Sequence, residues 1–286
     1  MSATTTTSPA THISVTDRVS WALADGFVVA RRNLLQFTRV PTLLIFSIVQ
    51  PIMFVLLFRF VFGGATRGLA GISYVNYLLP GIFVQTAIFG STQTGIGLAE
   101  DLKSGLIDRF RSLPMSRSGV LAGRTTADLV RNFIVVSLMI AIGYLVGFSF
   151  QNGLLAAIAA VLLVLAIGFA FSWVSATIGL AIKDVESVQA ASFTWIFPLT
   201  FISSVFVAVP TMASFLQPIA RNNPITIWAN TVRTLTMGTR YLDYLAHQPI
   251  PVIETLPGLL LKSAIWIVAI LAIFVPLSIR LYRKLD

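Results

Sequence analysis

Glu100–Arg131 reads EDLKSGLIDRFRSLPMSRSGVLAGRTTADLVR, a polar stretch flanked on both sides by long apolar runs. Six of the chain's twenty basic residues lie in it (Lys103, Arg109, Arg111, Arg117, Arg124 and Arg131). The excess of Lys and Arg in short loops on the cytoplasmic side of membranes puts this stretch in the cytosol, and every other segment takes its sidedness from it. Leu102, Leu106, Phe110 and Leu113 fall at intervals of four, four and three, which predicts one apolar face on a helix of about three turns. Lys103, Asp108, Arg109 and Arg111 occupy the rest of its circumference. Pro114 stops the helix, because it has no N–H and disfavours helical geometry in the residue before it. Such a rod suits a groove on a soluble partner. The same charge also suits a loop that only fixes topology and rests on lipid headgroups, and spacing alone leaves both readings open.

Over the whole chain, 56% of the 286 residues are hydrophobic and only 11% charged, with a mean hydropathy of +0.85. This composition predicts an all-α polytopic membrane protein. The formal net charge of +9 is carried mostly at the ends of apolar runs, where basic residues anchor spans to an anionic inner leaflet, so nucleic acid is not the expected partner. There is no cysteine, which removes disulfides, thiolate nucleophiles and Cys-ligated metals from consideration. Two isolated histidines, His12 and His247, and acids read as confined to loops supply no convergent catalytic or metal-binding set, so no enzyme, cofactor or metal site is expected. No Gly-x-x-x-x-Gly-Lys-Ser/Thr string occurs; if ATP powers this protein, another polypeptide binds it.

In chain order, residues 1–14 form a Thr-rich tail too polar to order itself, and 15–40 an amphipathic helix lying in the cytoplasmic interface. Residues 41–286 hold six spans at about 41–62, 74–99, 128–150, 154–182, 187–209 and 258–279. A cytoplasmic loop covers 100–127, and an outer region over 210–257 contains two short helices that lie in the interface or dip in and return. Pro51 and Pro198 are expected to kink their spans. Arg59 either snorkels to the outer interface or lines a cavity. The second span is the most polar; Gln85, Thr86, Thr92 and Gln93 either line a translocation path or serve helix packing together with Gly81, Gly90, Gly95 and Gly97. Asp128 is placed to pair with Arg124 and Arg131 on one helix. Gly143 and Gly147 form a GxxxG that suits a neighbouring helix. Phe193, Trp195, Phe197 and Phe201 suit a flat hydrophobic substrate or ordinary packing. Arg18, Arg31, Arg32, Arg39, the six loop cations, Lys183, Arg280, Arg283 and Lys284 fall inside, against Arg59, Arg67, Arg221, Arg233, Arg240 and Lys262 outside, which places both termini in the cytoplasm.

Arg109-Phe-Arg-Ser-Leu-Pro-Met-Ser-Arg117, then Val120-Leu-Ala-Gly-Arg124 and Ala127-Asp128, resemble the cytoplasmic segment of type-2 ABC exporter permeases, within them the daunorubicin/doxorubicin-resistance branch. Tyr77-Leu-Leu-Pro-Gly-Ile82 and Lys183-Asp-Val-Glu-Ser-Val-Gln189 match the same branch. The resemblance implies that the helix before Pro114 is a coupling helix on a soluble ATPase subunit that carries ATP and Mg²⁺, with Leu102, Leu106, Arg109, Phe110, Arg111, Leu113, Pro114 and Arg117 as its contact residues. It implies a plasma-membrane permease pairing with a second copy or a related permease, and export of an amphipathic drug-like or lipid-like compound. Export of a polysaccharide or lipid-linked glycan remains an alternative within the architecture. An ion-coupled secondary transporter is a different class, disfavoured because no acid falls mid-span.

Overall fold

The computed structural model describes residues 41–57, 59–60, 72–106, 117–247 and 254–284. The expected tail at 1–14, the amphipathic helix at 15–40, and Arg109, Phe110, Arg111, Leu113 and Pro114 of the expected coupling helix lie outside the described residues. The described chain contains helices and no strand: α1 (Pro41–Leu57), α2 (Tyr74–Lys103), α3 (Arg117–Leu145), α4 (Gly153–Ile182), α5 (Val185–Phe201), α6 (Gln217–Asn222), α7 (Pro224–Met237), α8 (Thr239–Ala246) and α9 (Leu256–Arg283).

Three of these helices are long and apolar enough to cross a membrane: Leu121–Leu145 within α3, α4 and α9. At about 1.5 Å per residue, the 30 residues of α4 and 28 of α9 exceed a hydrocarbon layer roughly 30 Å thick. The described parts of α1 and α5 are 17 residues each. The 30-residue α2 has the length, but its Asn, Gln, Thr and terminal acids make it less apolar.

That polarity matches where α2 sits. It packs against α1, α3, α4, α5 and α7, and Tyr77, Leu79, Ile82, Val84, Ala87 and Ile88 on it are at most 1% exposed. By contrast, α9 leaves Leu261, Ile265, Val268 and Ile273 more than half exposed, a face that only hydrocarbon or another apolar surface satisfies. α2 and α4 cross at backbone contact. A Cβ on Gly95 would stand 2.3 Å from the Ser175 carbonyl oxygen, and one on Gly179 would stand 2.4 Å from that of Gly95, so two glycines let the backbones meet. The Ser175 hydroxyl seals the crossing, accepting from Gly95 N–H at 3.0 Å and donating to Thr92 C=O at 3.1 Å.

Several boundaries differ from the sequence expectation. α2 and α3 extend into the expected 100–127 loop, reaching Lys103 and starting at Arg117. α3 ends at Leu145 rather than near 150, because Gly147 adopts φ +95° and Phe148 N–H closes back on Gly143 C=O at 2.9 Å. Gly147 is therefore a helix C-cap, not half of a helix-packing GxxxG. α5 ends at Phe201, three residues after Pro198, instead of reaching Val209; turns and a short 3₁₀ segment (Val209–Thr211) follow. The Lys183–Glu186 connection is as short as expected: Lys183 takes φ 64° and the Asp184 carboxylate caps α5 by accepting from Ser187 N–H at 2.9 Å.

The region between α5 and α9 inserts into the bundle. α7 packs on α2, α4 and α9, with Trp228 and Arg233 fully buried. Asn223 caps it, accepting from Ile225 N–H at 2.9 Å while its Nδ2 donates to the freed carbonyls of Leu199 and Ile202 at 2.7 Å each. Arg233, counted from sequence among the outer interface cations, is instead a core residue.

Candidate functional site

Along α2, residues 85, 86, 89, 92 and 93 fall on one side at 100° per residue. That side faces a cavity of about 230 Å³ walled by four helices: Gln50, Pro51 and Phe54 from α1, Gln85, Thr86, Phe89, Gly90, Thr92 and Gln93 from α2, Arg131, Asn132 and Val135 from α3, and Phe193 from α5. All four polar residues singled out in the second span thus meet in one place. Gln85, Thr86 and Thr92 are 3%, 7% and 2% exposed, while Gln93 reaches the surface. The Thr92 hydroxyl is spent on its own helix, donating to Phe89 C=O at 2.7 Å. Amides and aromatic rings therefore dominate the wall. Phe89 stands edge-on to Phe197 at 5.3 Å between centroids and lies 6.0 Å from Phe193, which joins the α5 aromatics to the cavity. Trp195 takes the packing role instead, stacked on Phe171 of α4 at 5.8 Å.

One side of the cavity is charged but internally compensated. Arg131 and Asp128, 3% exposed each, approach to 3.3 Å; Thr94 donates to the Asp128 carboxylate and Arg131 to the Gly90 carbonyl. Arg124 does not join them as expected. Its guanidinium passes over Gly97, where a Cβ would lie 1.4 Å from Nη2, and pairs with Asp101 at 2.8 Å. Asp101 and Asp128 are thus helical and inward-facing, not loop acids. Asn132 is wedged between Gly90 and Gly168, and its Nδ2 is buried without a hydrogen-bond partner, leaving a donor in the cavity wall.

Sequence reading missed Gln50, Arg131 and Asn132 as wall residues. The available signal was Asp128, Arg131, Asn132 and Val135, an i, i+3, i+4, i+7 stripe whose polar members on an otherwise apolar helix must face protein.

At the other end of α2, the expected single rod from Leu102 to Leu113 is interrupted. α2 stops at Lys103, Ser104 forms its C-cap, and Gly105 turns to φ +69° with its N–H on Leu102 C=O at 3.2 Å. Leu102 packs against the cluster of Leu98, Leu121, Trp173, Ala176, Leu180 and Tyr282, while Leu106 lies beyond the break. The Ser104-Gly105 pair carried that signal. Arg117 opens α3. The Asp184 carboxyl is held below its ordinary pKa, first by its hydrogen bonds from Ser187 and further by the nearby Lys103 ammonium, which sets the α4–α5 turn beside the entrance to the loop. Among the described residues, no group of His, Asp and Glu is arranged to hold a metal ion. Arg59 reaches to 3.6 Å from where a Gly147 Cβ would lie, at the carbonyl end of α3.

Comparison with known proteins agrees with this architecture. Residues 26–237 match the model of the ABC-2 type transporter family. The chain is 32% identical over 254 residues to a daunorubicin resistance ABC transporter permease protein of Streptomyces coeruleorubidus, covering 88% of this chain and 84% of the relative. It is 26% identical over 269 residues to a probable doxorubicin resistance ABC transporter permease protein of Mycobacterium tuberculosis, covering 92% and 89%. A putative transport permease of Cyanophora paradoxa is 28% identical over 222 residues, covering 76% and 75%. With its apolar helix bundle and a family match spanning most of its length, the chain belongs to the ABC-2 type transporter family as a membrane permease component.

Proposed function

We propose that this permease is the membrane subunit of an ATP-driven exporter of amphipathic, drug-like compounds, and that the cavity beside α2 is part of the route such a compound takes. The observation that carries this reading is the wall itself, in which the amides of Gln50, Gln85 and Asn132 interleave with Phe54, Phe89 and Phe193. Aromatic faces suit a flat polycyclic body, and a few amides orient its polar edge. The charged side is neutralised by the Asp128–Arg131 pair, which favours selection by stacking and hydrogen bonding over selection by charge. Relatives that bear daunorubicin and doxorubicin resistance in their names support the same substrate class.

In this reading the chain has six spans with both termini in the cytoplasm, and pairs with a second copy or a related permease. ATP and Mg²⁺ reside on a separate ATPase subunit that engages the segment between Leu106 and Arg117, including Arg109, Phe110, Arg111, Leu113 and Pro114. Closure of the ATPases would pull that segment, and α2 and α3, which leave it at Lys103 and Arg117, would carry the motion to the cavity.

The test is drug-stimulated ATP hydrolysis and drug uptake by inverted vesicles containing the complex. Phe89→Ala with Gln85→Leu is expected to reduce drug-stimulated turnover at least tenfold while basal hydrolysis and complex assembly persist. Undiminished drug transport in that variant would remove the cavity from the route. Phe110→Asp is expected to abolish ATPase association while membrane insertion persists, and a retained complex would remove the coupling role.

A further inference from the structure

A second cavity, of about 450 Å³, lies at the opposite end of α2 from the loop, between that helix, the inserted α5–α9 region and the start of α9. Tyr77 on its wall and Lys103 at the loop are 26 residues apart on one helix, about 39 Å at the α-helical rise. Nothing in the transport reading uses this cavity.

Its electrostatics are one-sided. Arg221 lines it, and its Nη2 is buried without a hydrogen-bond partner among the described residues. Lys262 stands at the rim with its side chain 51% exposed, paired to Glu254. Behind the wall Arg233 is fully buried with no carboxylate partner among the described residues, and it donates to Asn230 Oδ1 at 3.1 Å. Two cations on the wall and a third behind it are therefore set against one acid. Asn230, a lining residue, accepts at Oδ1 also from Ser204 Oγ at 3.1 Å and from Tyr241 Oη at 2.7 Å, which fixes the amide orientation and leaves Nδ2 as its remaining donor. A buried guanidinium N–H and an oriented amide N–H₂ under a positive field form a receptor for an anionic oxygen group.

The surroundings say what carries that group. Lys262, Ile265 and Trp266, spaced i, i+3, i+4, share one face of α9, and Ile265 and Trp266 are 57% and 40% exposed. Beside them Leu261 is 63% exposed. An apolar strip thus runs from the charged rim along the helix toward the middle of the bundle, as an acyl chain lies when its headgroup sits at the interface. A free phosphate ion has no use for such a strip.

We infer that this cavity is a site for the phosphate headgroup of a resident anionic membrane lipid, held by Arg221, Asn230 and Lys262, with its acyl chain along Ile265 and Trp266 of α9. The site is separate from the cavity beside α2, and its occupant is not the transported compound.

The full chain purified in mild detergent tests this by native mass spectrometry and thermal unfolding, with phosphatidylglycerol, phosphatidylcholine or inorganic phosphate added. Phosphatidylglycerol is expected to remain bound at one per chain and to raise Tm; phosphatidylcholine and millimolar phosphate are expected to do neither. Arg221→Gln with Lys262→Gln should weaken phosphatidylglycerol retention at least tenfold, whereas Arg240→Gln, at an exposed cation of α8 outside the cavity lining and with the charge loss of one of these changes, should not. Equal retention of phosphatidylcholine by the wild-type chain, full retention by the double variant, or a Tm rise reproduced by inorganic phosphate alone would each overturn the proposal. The wild-type comparison does not depend on any variant folding. Gln85→Leu, aimed at the other cavity, should leave lipid retention unchanged, which separates failure of this inference from failure of the transport reading.

Discussion

The two ends of α2 solve the same problem differently. Toward its C-terminal end, buried and half-buried guanidinium groups are matched to carboxylates, Arg131 to Asp128 at 3.3 Å and Arg124 to Asp101 at 2.8 Å. Toward its N-terminal end, Arg233 is equally buried and has no acid among the described residues. Its Nε donates to Tyr77 C=O at 2.7 Å, its Nη2 to Ser204 and Val205 C=O at 2.6 and 3.1 Å, and its Nη1 to Ser204 Oγ and Asn230 Oδ1 at 2.9 and 3.1 Å. The guanidinium carbon also lies 3.7 Å from the centroid of the Tyr77 ring. The difference traces to the backbone. Between regular helices each carbonyl already accepts an intrahelical bond, so the buried Arg131 is matched to an acid beside its contact with Gly90 C=O; where α5 ends at Phe201, the carbonyls of Ser204 and Val205 lie outside any helix, and one planar multi-donor cation reaches both. The Arg233 cluster is thus a way to bury irregular backbone, and the Asp128–Arg131 pair a way to lock two regular helices.

This contrast is open to three measurements, each read as Tm and as the monodisperse fraction of the chain in detergent. The largest effect is expected for Arg233→Met. Losing five hydrogen bonds strands the Val205 carbonyl, leaves that of Ser204 with the Tyr77 hydroxyl alone, and unties Ser204 Oγ and Asn230 Oδ1, a cost of about 3 kcal/mol. Arg233→Lys should rescue little, because an ammonium cannot reach the same fork of acceptors. Rescue by Lys would show that charge, not donor geometry, is what the site requires.

Asp128→Ala comes next. Removing the carboxylate that meets the buried Arg131 at 3.3 Å is expected to cost about 3 kcal/mol. Adding Arg131→Met should recover most of that loss, since an apolar pair replaces a buried ion pair at little cost. No second substitution is expected to rescue Arg233→Met in this way. A double variant as unstable as Asp128→Ala alone would remove the distinction between the two ends.

The smallest effect is expected for Arg124→Ala. Its pair with Asp101 is partly solvated, the side chains being 13% and 14% exposed, so about 1 kcal/mol, reduced by added salt, is in order. A salt-independent loss as large as that of Asp128→Ala would mean that the two pairs act as one network.

How much of this was legible beforehand differs by region. The polar second span stood out, and Gln85, Thr86, Thr92 and Gln93 do share one wall. The spacing of polar residues on one helix reports which side must avoid lipid, and that is local information. The Lys183–Asp184 turn was legible for the same reason. The partners were not. Arg124 was matched to Asp128 four residues away, yet Gly97 opens a gap on α2 through which it reaches Asp101. Gly147 read as a packing residue and acts as a left-handed cap. Leu102 and Leu106 read as one helix face and are parted at Gly105. Each miss turns on a backbone conformation or a neighbouring helix that spacing along one segment does not encode.

By itself, then, the order of apolar runs and basic flanks determined a helical membrane protein, because hydrocarbon admits so few backbone solutions that composition selects among them, and the motif strings at 77–82, 109–128 and 183–189 pointed to a permease. Tertiary structure decided which charges meet, where α5 gives way to irregular backbone, and that α7 lies in the core rather than on the surface. Those outcomes depend on which donors and acceptors are brought together across helices, and a buried polar group is stable only with the particular partner that the assembled bundle places beside it.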